Sequence, residues 1–198
     1  MNFTIATQII TFFISQNLLF SSAEASIASQ TSIIPFQILH NTRPMLHLGG
    51  LQDSSGIQLI SGIQMQPTDN LILGGVLSPR KIDADLSIYY HILIGYIPKW
   101  KLLKFSSNMI QIGMHRYRFG NTSTSRWFSI SVTESAHLGN LNLNLCWNKL
   151  FAQKWERNTV LISTRIKLLK GLYCQSGAIT YFTPEFSYTP FLLLSMTI

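Results

Sequence analysis

Residues 138–148 read Leu-Gly-Asn-Leu-Asn-Leu-Asn-Leu-Cys-Trp-Asn. Successive side chains of an extended strand point to opposite faces. Leu141, Leu143, Leu145 and Trp147 therefore share one face, and Asn140, Asn142, Asn144 and Asn148 share the other. The segment is a ribbon with an oily side and an amide side. A soluble sandwich buries its oily side and exposes a charged one. Here the polar side carries neutral amides, as a hydrogen-bonded barrel interior requires.

The same period of two recurs along the chain. Ten candidate strands cover 45–51, 57–66, 71–77, 84–97, 108–119, 125–133, 138–151, 159–169, 172–182 and 187–198. Turn signals such as Pro67-Thr68-Asp69-Asn70, Ser78-Pro79-Arg80-Lys81 and Lys170-Gly171 separate them. In the fourth, Leu86, Ile88, Tyr90, Ile92, Ile94 and Tyr96 oppose Ser87, Tyr89, His91, Leu93 and Gly95. In the fifth, Ile110, Ile112 and Met114 oppose Gln111, Gly113 and His115. Most candidates reach the 9–11 or so residues that a tilted membrane strand needs. The pattern predicts an all-β fold: an antiparallel up-and-down meander closing into a small transmembrane β-barrel of 8–10 strands.

Composition points the same way. Of 198 residues, 46% are hydrophobic and only 12% charged, about half the usual charged fraction of a soluble domain. Lysine and arginine outnumber acids 15 to 8. From Leu86 to Thr133 there is no acid, while Lys99, Lys101, Lys104, Arg116, Arg118 and Arg126 are all basic. These bases are dispersed rather than gathered on a helix face or among aromatic platforms, which argues against a nucleic-acid partner. At the N-terminus an apolar run, Ile9 to Phe20, precedes Ala23-Glu24-Ala25. Residues 1–25 are thus expected to be a signal peptide, 26–44 a lead-in segment and 45–198 the barrel domain. Downstream of residue 25 no apolar stretch is long enough for a spanning helix, so entry into a membrane must be as a barrel.

The oily faces carry essentially no Lys, Asp or Glu near strand centres, where an Arg or Lys facing lipid would cost about 2–4 kcal/mol. Trp100, Trp127, Trp147, Phe151, Trp155, Tyr181, Phe182, Phe186 and Tyr188 cluster near strand ends, as interfacial girdles do. On these features residues 45–198 resemble bacterial outer-membrane β-barrel proteins as a class. The resemblance implies export to the bacterial outer membrane, insertion by its assembly machinery, and contact with membrane lipids, including lipopolysaccharide. It implies a non-catalytic role as membrane scaffold, adhesion or lipid-interaction protein, or narrow conduit. The chain departs from the class in its last residues, Leu194-Ser195-Met196-Thr197-Ile198, which lack a terminal aromatic, and in its short loops.

Several side chains suggest chemistry. His115, Arg116 and Arg118 end the fifth strand and suit a phosphate or a lipopolysaccharide core, or they snorkel to the interface. Asn140, Asn142, Asn144, Arg165 and Lys167 are expected to line the lumen, the last two making it electropositive. Ser87 and His91 share a face but lie about 13 Å apart along one strand. His91 would therefore have to meet a serine from another strand. A lipid-modifying barrel enzyme using His91 or His115 is the catalytic alternative. A soluble exported barrel, with its oily faces turned in around an apolar ligand, is the other alternative. There is no phosphate loop, dinucleotide fingerprint or G-x-S-x-G. Cys146 and Cys174, one strand apart, are expected to be free thiols, and no Cys/His spacing suggests a metal. No catalytic residue, metal or cofactor is therefore assigned.

Overall fold

Ten strands run antiparallel, each paired with its neighbours in the chain, and the last pairs back on the first. In chain order they are β1 (Met45–Asp53), β2 (Gly56–Thr68), β3 (Leu71–Ile82), β4 (Asp85–Tyr96), β5 (Ser106–Phe119), β6 (Ser123–Leu138), β7 (Leu141–Phe151), β8 (Glu156–Leu169), β9 (Leu172–Phe182) and β10 (Phe186–Thr197). The computed structural model describes residues 43–53, 56–82, 85–101, 105–119, 123–151, 156–182 and 186–198. The expected signal peptide and nearly all of the lead-in segment lie outside the described residues. The barrel seam runs from Met45↔Thr197 to Leu51↔Phe191. It carries a side-chain bond between His47 Nδ1 and Ser195 Oγ at 2.8 Å, and Ile198 N donates to Pro44 O at 3.0 Å.

The even strand number brings both ends of the barrel sequence to one rim. The two-residue turns Asp69–Asn70, Gly139–Asn140 and Lys170–Gly171 share that rim. Gly139 (φ 65°) and Gly171 (φ 77°) hold positive φ, which these turns demand and glycine adopts without steric cost. Followed from pair to pair around the wall, the register climbs about 12 residues before returning to β1. With strands about 4.8 Å apart, that stagger gives a tilt of roughly 40° and a backbone radius of roughly 10 Å. Side chains from opposite walls can meet across such a width.

Two stretches differ from the turn pattern. Ser78-Pro79-Arg80-Lys81 is strand, since β3 pairs with β4 as far as Ile82↔Asp85. Pro79 is tolerated because the β2 ladder already ends at Ser61↔Leu77, so its missing N–H leaves no gap. Pro190 is placed likewise, one residue past the end of the β1–β10 ladder. β6 runs on to Leu138, which makes Gly139–Asn140 a tight turn.

The two faces separate as the period requires. Leu48, Leu59, Ile63, Leu77, Ile92, Ile94, Ile112, Ile130, Leu145, Ile162, Leu192 and Leu194 are exposed around the outside. Tyr89, His91, Gln111, His115, Ser129, Asn144, Asn148, Ser163 and Gln175 are buried inside. The interior is not uniformly polar, however. Leu51, Ile60, Ile72, Val76, Leu93, Met109, Cys146, Leu161, Ile179, Phe191 and Leu193 form one contact cluster within it, drawing on every strand except β6. A barrel of this radius is filled by its own side chains, and an all-amide filling would leave donors unpaired.

Candidate functional site

The densest polar constellation lies in the lumen on β4, β5 and β6. The register pairs His91 with His115 and His115 with Trp127, and it sets Gly113 beside Ser129. Tyr89 Oη lies 2.7 Å from His91 Nδ1 and 2.8 Å from His115 Nδ1, and His115 Nε2 lies 2.7 Å from Ser129 Oγ. The His115 ring stacks on Trp127 at 5.6 Å with a 2° interplanar angle, and Tyr89 stacks on Trp127 at 5.9 Å. Gly113 makes this possible. A Cβ there would run into Ser129 Oγ, would come within 2.5 Å of Leu93 Cδ2 and would come within 2.8 Å of His115 Nε2.

A phenol has one proton, so Tyr89 donates to one imidazole and accepts from the other. Ser129 on His115 has the outline of a nucleophile on its base. The group behind the imidazole is a phenol, however, and no carboxylate is found among the described inward side chains. All members are buried, which leaves no approach for a lipid ester. The constellation is a buried hydrogen-bonded and stacked network that ties three strands together.

A second polar system spans β6 to β9. Ser135 Oγ donates to Asn144 Oδ1 (2.8 Å), and Asn144 Nδ2 (3.4 Å) and Gln175 Nε2 (3.0 Å) both donate to Ser163 Oγ. Asn148 Nδ2 donates to Thr159 Oγ1 at 3.2 Å. Among the residues expected in the lumen, Asn144 and Arg165 are buried there, and half-buried Asn142 meets His137 Nδ1 at 3.0 Å. Arg165 lies 3.8 Å from the Tyr173 ring centroid and reaches Met45 Sδ on β1 at 3.5 Å, past two intervening strands. Asn140 is not a lumen residue: the two-residue turn carries it out to the rim, where it is exposed. Lys167 is exposed near the same end of β8.

His115, Arg116 and Arg118 do not converge. Neighbours in a strand face opposite ways, so His115 points in while Arg116 and Arg118 point out. Arg116 instead lies beside Arg126, its register partner on β6, with its guanidinium 5.8 Å from the Tyr90 ring centroid. Trp127, expected in the outer girdle, is inside and only 2% exposed. Its signal was its period-two relation to Ser129 and Ser131. Trp147 and Tyr188 remain exposed toward the rim opposite the barrel ends, and Tyr96, Trp100 and Phe105 toward the other rim. Trp155, Tyr181, Phe182 and Phe186 have side chains outside the described residues. Cys146 faces in and half-buried Cys174 faces out, both free.

No family model matches the sequence, and no curated relative matches it. Among solved structures, the fold is similar to a KdgM porin in complex with disordered oligogalacturonate. There the TM-score is 0.53 at 10% identity, over 78% of this chain and 99% of the porin. It is also similar to the COG4313 outer membrane channel from Pseudomonas putida F1, with TM-score 0.55 at 10% identity over 84% of this chain and 100% of the channel. Together with the closed ten-strand meander, these similarities give the chain the fold of outer-membrane β-barrels.

Proposed function

We propose that this chain is a bacterial outer-membrane β-barrel with a non-catalytic role, a membrane-embedded scaffold that works through its lipid-facing wall. The observation that carries the proposal is the wall's two-sidedness. Among the described residues, apolar side chains are exposed on every strand except β9, as with Leu48 at 64%, Ile112 at 60% and Ile162 at 61%. A soluble monomer tolerates contiguous apolar patches of only a few hundred Å², whereas a hydrocarbon surround makes this belt favourable. The soluble alternative needed those same faces turned inward, and they are not.

A scaffold is favoured over an open conduit by the filling of the lumen. The interior cluster draws on nine of the ten strands, and Arg165 crosses toward β1. Eight-strand barrels are filled and 16-strand barrels hold water, so about ten strands belong near the filled end. In this role the partners are membrane lipids, lipopolysaccharide among them, and the machinery that inserts outer-membrane barrels. Short turns mark the periplasmic side of such barrels. Three of the four connections at the rim holding both barrel ends are two-residue turns, the fourth being the nine-residue 97–105, against two of five at the other rim. The rim with the barrel ends is accordingly assigned to the periplasm.

Fractionation of expressing cells is the test. The protein should sediment with outer membranes, resist carbonate extraction, dissolve only in detergent and migrate differently in gels before and after boiling. Release without detergent would overturn the membrane assignment. Stepwise conductance in planar bilayers would replace the scaffold with a conduit.

A further inference from the structure

The outer wall carries two cations side by side, with no acid beside them among the described side chains of β4, β5 and β6. Arg116 and Arg126 lie directly opposite on β5 and β6, and Arg118 follows two residues on along the same face of β5. Like charges directly opposite across a strand pair are destabilising, and a lipid surround screens them less than water does. No Asp or Glu occurs between Leu86 and Thr133, a stretch holding nearly all of β4, all of β5 and most of β6. Arg116 Nε is buried and makes no hydrogen bond.

Next to this pair the wall is notched. Outward-facing Gly75 lies between its register partners Ile63 on β2 and Ile92 on β4, and Ser61, Leu77 and Tyr90 complete the rim. Tyr90 belongs to both features, since it edges the notch and lies beneath the Arg116 guanidinium. Glycine is not required at position 75 by the wall itself. An added Cβ would meet only His91 O, at an ordinary 3.4 Å, and the backbone φ is not positive. Glycine weakens a strand and marks a bulge, a bend or the close approach of another group. The register runs unbroken through Gly75 on both sides, so no bulge accounts for it.

We propose that Arg116 and Arg126 hold a phosphate of lipid A, one of whose acyl chains lies in the notch at Gly75. The occupant is a phosphorylated lipid because the site pairs a phosphate-seeking cation cluster with an apolar slot one side chain away. Lipid A, rather than a phospholipid, fits the leaflet: the cluster lies toward the rim opposite the two barrel ends, which the proposed membrane orientation directs outward. The inference rests on that reading.

The test uses the detergent-purified full-length protein, with bound lipid counted by native mass spectrometry. The probes are lipid A, dephosphorylated lipid A and phosphatidylglycerol. Wild type should retain one lipid A at least about tenfold more tightly than either competitor. An Arg116→Gln/Arg126→Gln double variant should lose that preference while keeping its heat-modifiable migration. Gly75→Leu should weaken lipid A several-fold by filling the slot and leave the barrel folded. Equal retention of lipid A and its dephosphorylated form, an unchanged preference in the double variant, or unchanged retention in Gly75→Leu would overturn the proposal. Tight binding of phosphatidylglycerol in place of lipid A would overturn the assignment of the occupant. Insertion into phosphatidylcholine vesicles, which lack anionic lipid, keeps the membrane reading separate. If insertion succeeds while lipid A selectivity fails, only this inference falls.

Discussion

Replacing Ile112 with lysine tests the lipid-facing wall at its centre. Ile112 is flanked across the sheet by Ile94 and Ile130, all three exposed on the outside. It lies six residues from the Ser106 end of β5 and seven from the Phe119 end. At about 3.3 Å per residue and a tilt of roughly 40°, that is about 15 Å and 18 Å from the two rims. A lysine side chain reaches only about 6 Å and cannot snorkel out from there. The expected cost of Ile112→Lys is therefore about 2–4 kcal/mol, a change of roughly 30- to 900-fold in the folding equilibrium. Urea unfolding in phospholipid vesicles, followed by tryptophan fluorescence and by heat-modifiable migration, measures it. Leu169→Lys, at the end of β8, is the control and should cost no more than about 1 kcal/mol. If the outside were bathed in water, Ile112→Lys would be an ordinary surface change within about 0.5 kcal/mol of wild type. That result would refute the reasoning.

Other expectations follow from particular contacts. Gly113→Ala should destabilise by about 1–3 kcal/mol, because the new methyl displaces Ser129 and His115 from their hydrogen bond. Gly75→Ala should stay within about 0.5 kcal/mol of wild type by the same unfolding assay. His47→Ala removes the side-chain bond across the seam and should lower stability by about 0.5–1.5 kcal/mol, read as earlier loss of the compact band on heating in detergent. Arg165→Ala should leave planar bilayers without conductance steps, because the apolar cluster still fills the lumen. Steps in that variant alone would make Arg165 the gate.

Much of the wall was legible because strand alternation is local. Leu143 and Leu145 fall outside and Asn144 inside from the order of residues alone, and the ninth candidate strand, 172–182, coincides with β9. What was not legible depends on register and closure. That Ser129 meets His115, or that Arg116 meets Arg126, follows from which residues of β5 and β6 lie opposite. No single strand encodes this. Pro79 signalled a turn but sits where one ladder has already ended, so the signal was overridden by pairing on the other side. Asn140 continued the amide pattern by one step too many, because Gly139 with φ 65° turns the chain there. The apolar interior was masked for a related reason. Residues such as Ile60, Ile72 and Leu161 are scattered singly among polar inward neighbours, and only closure brings them into one cluster.

The most direct test is a spin-label scan of β7 in phospholipid vesicles, with Cys146 and Cys174 first replaced by serine. Labels at Leu143, Leu145 and Trp147 should collide freely with dissolved oxygen and hardly with a water-soluble nickel chelate, while labels at Asn144 and Asn148 should be shielded from both. Chelate collisions at Leu143 and Leu145 matching those of a label in bulk water would contradict the assignment of that face to the membrane.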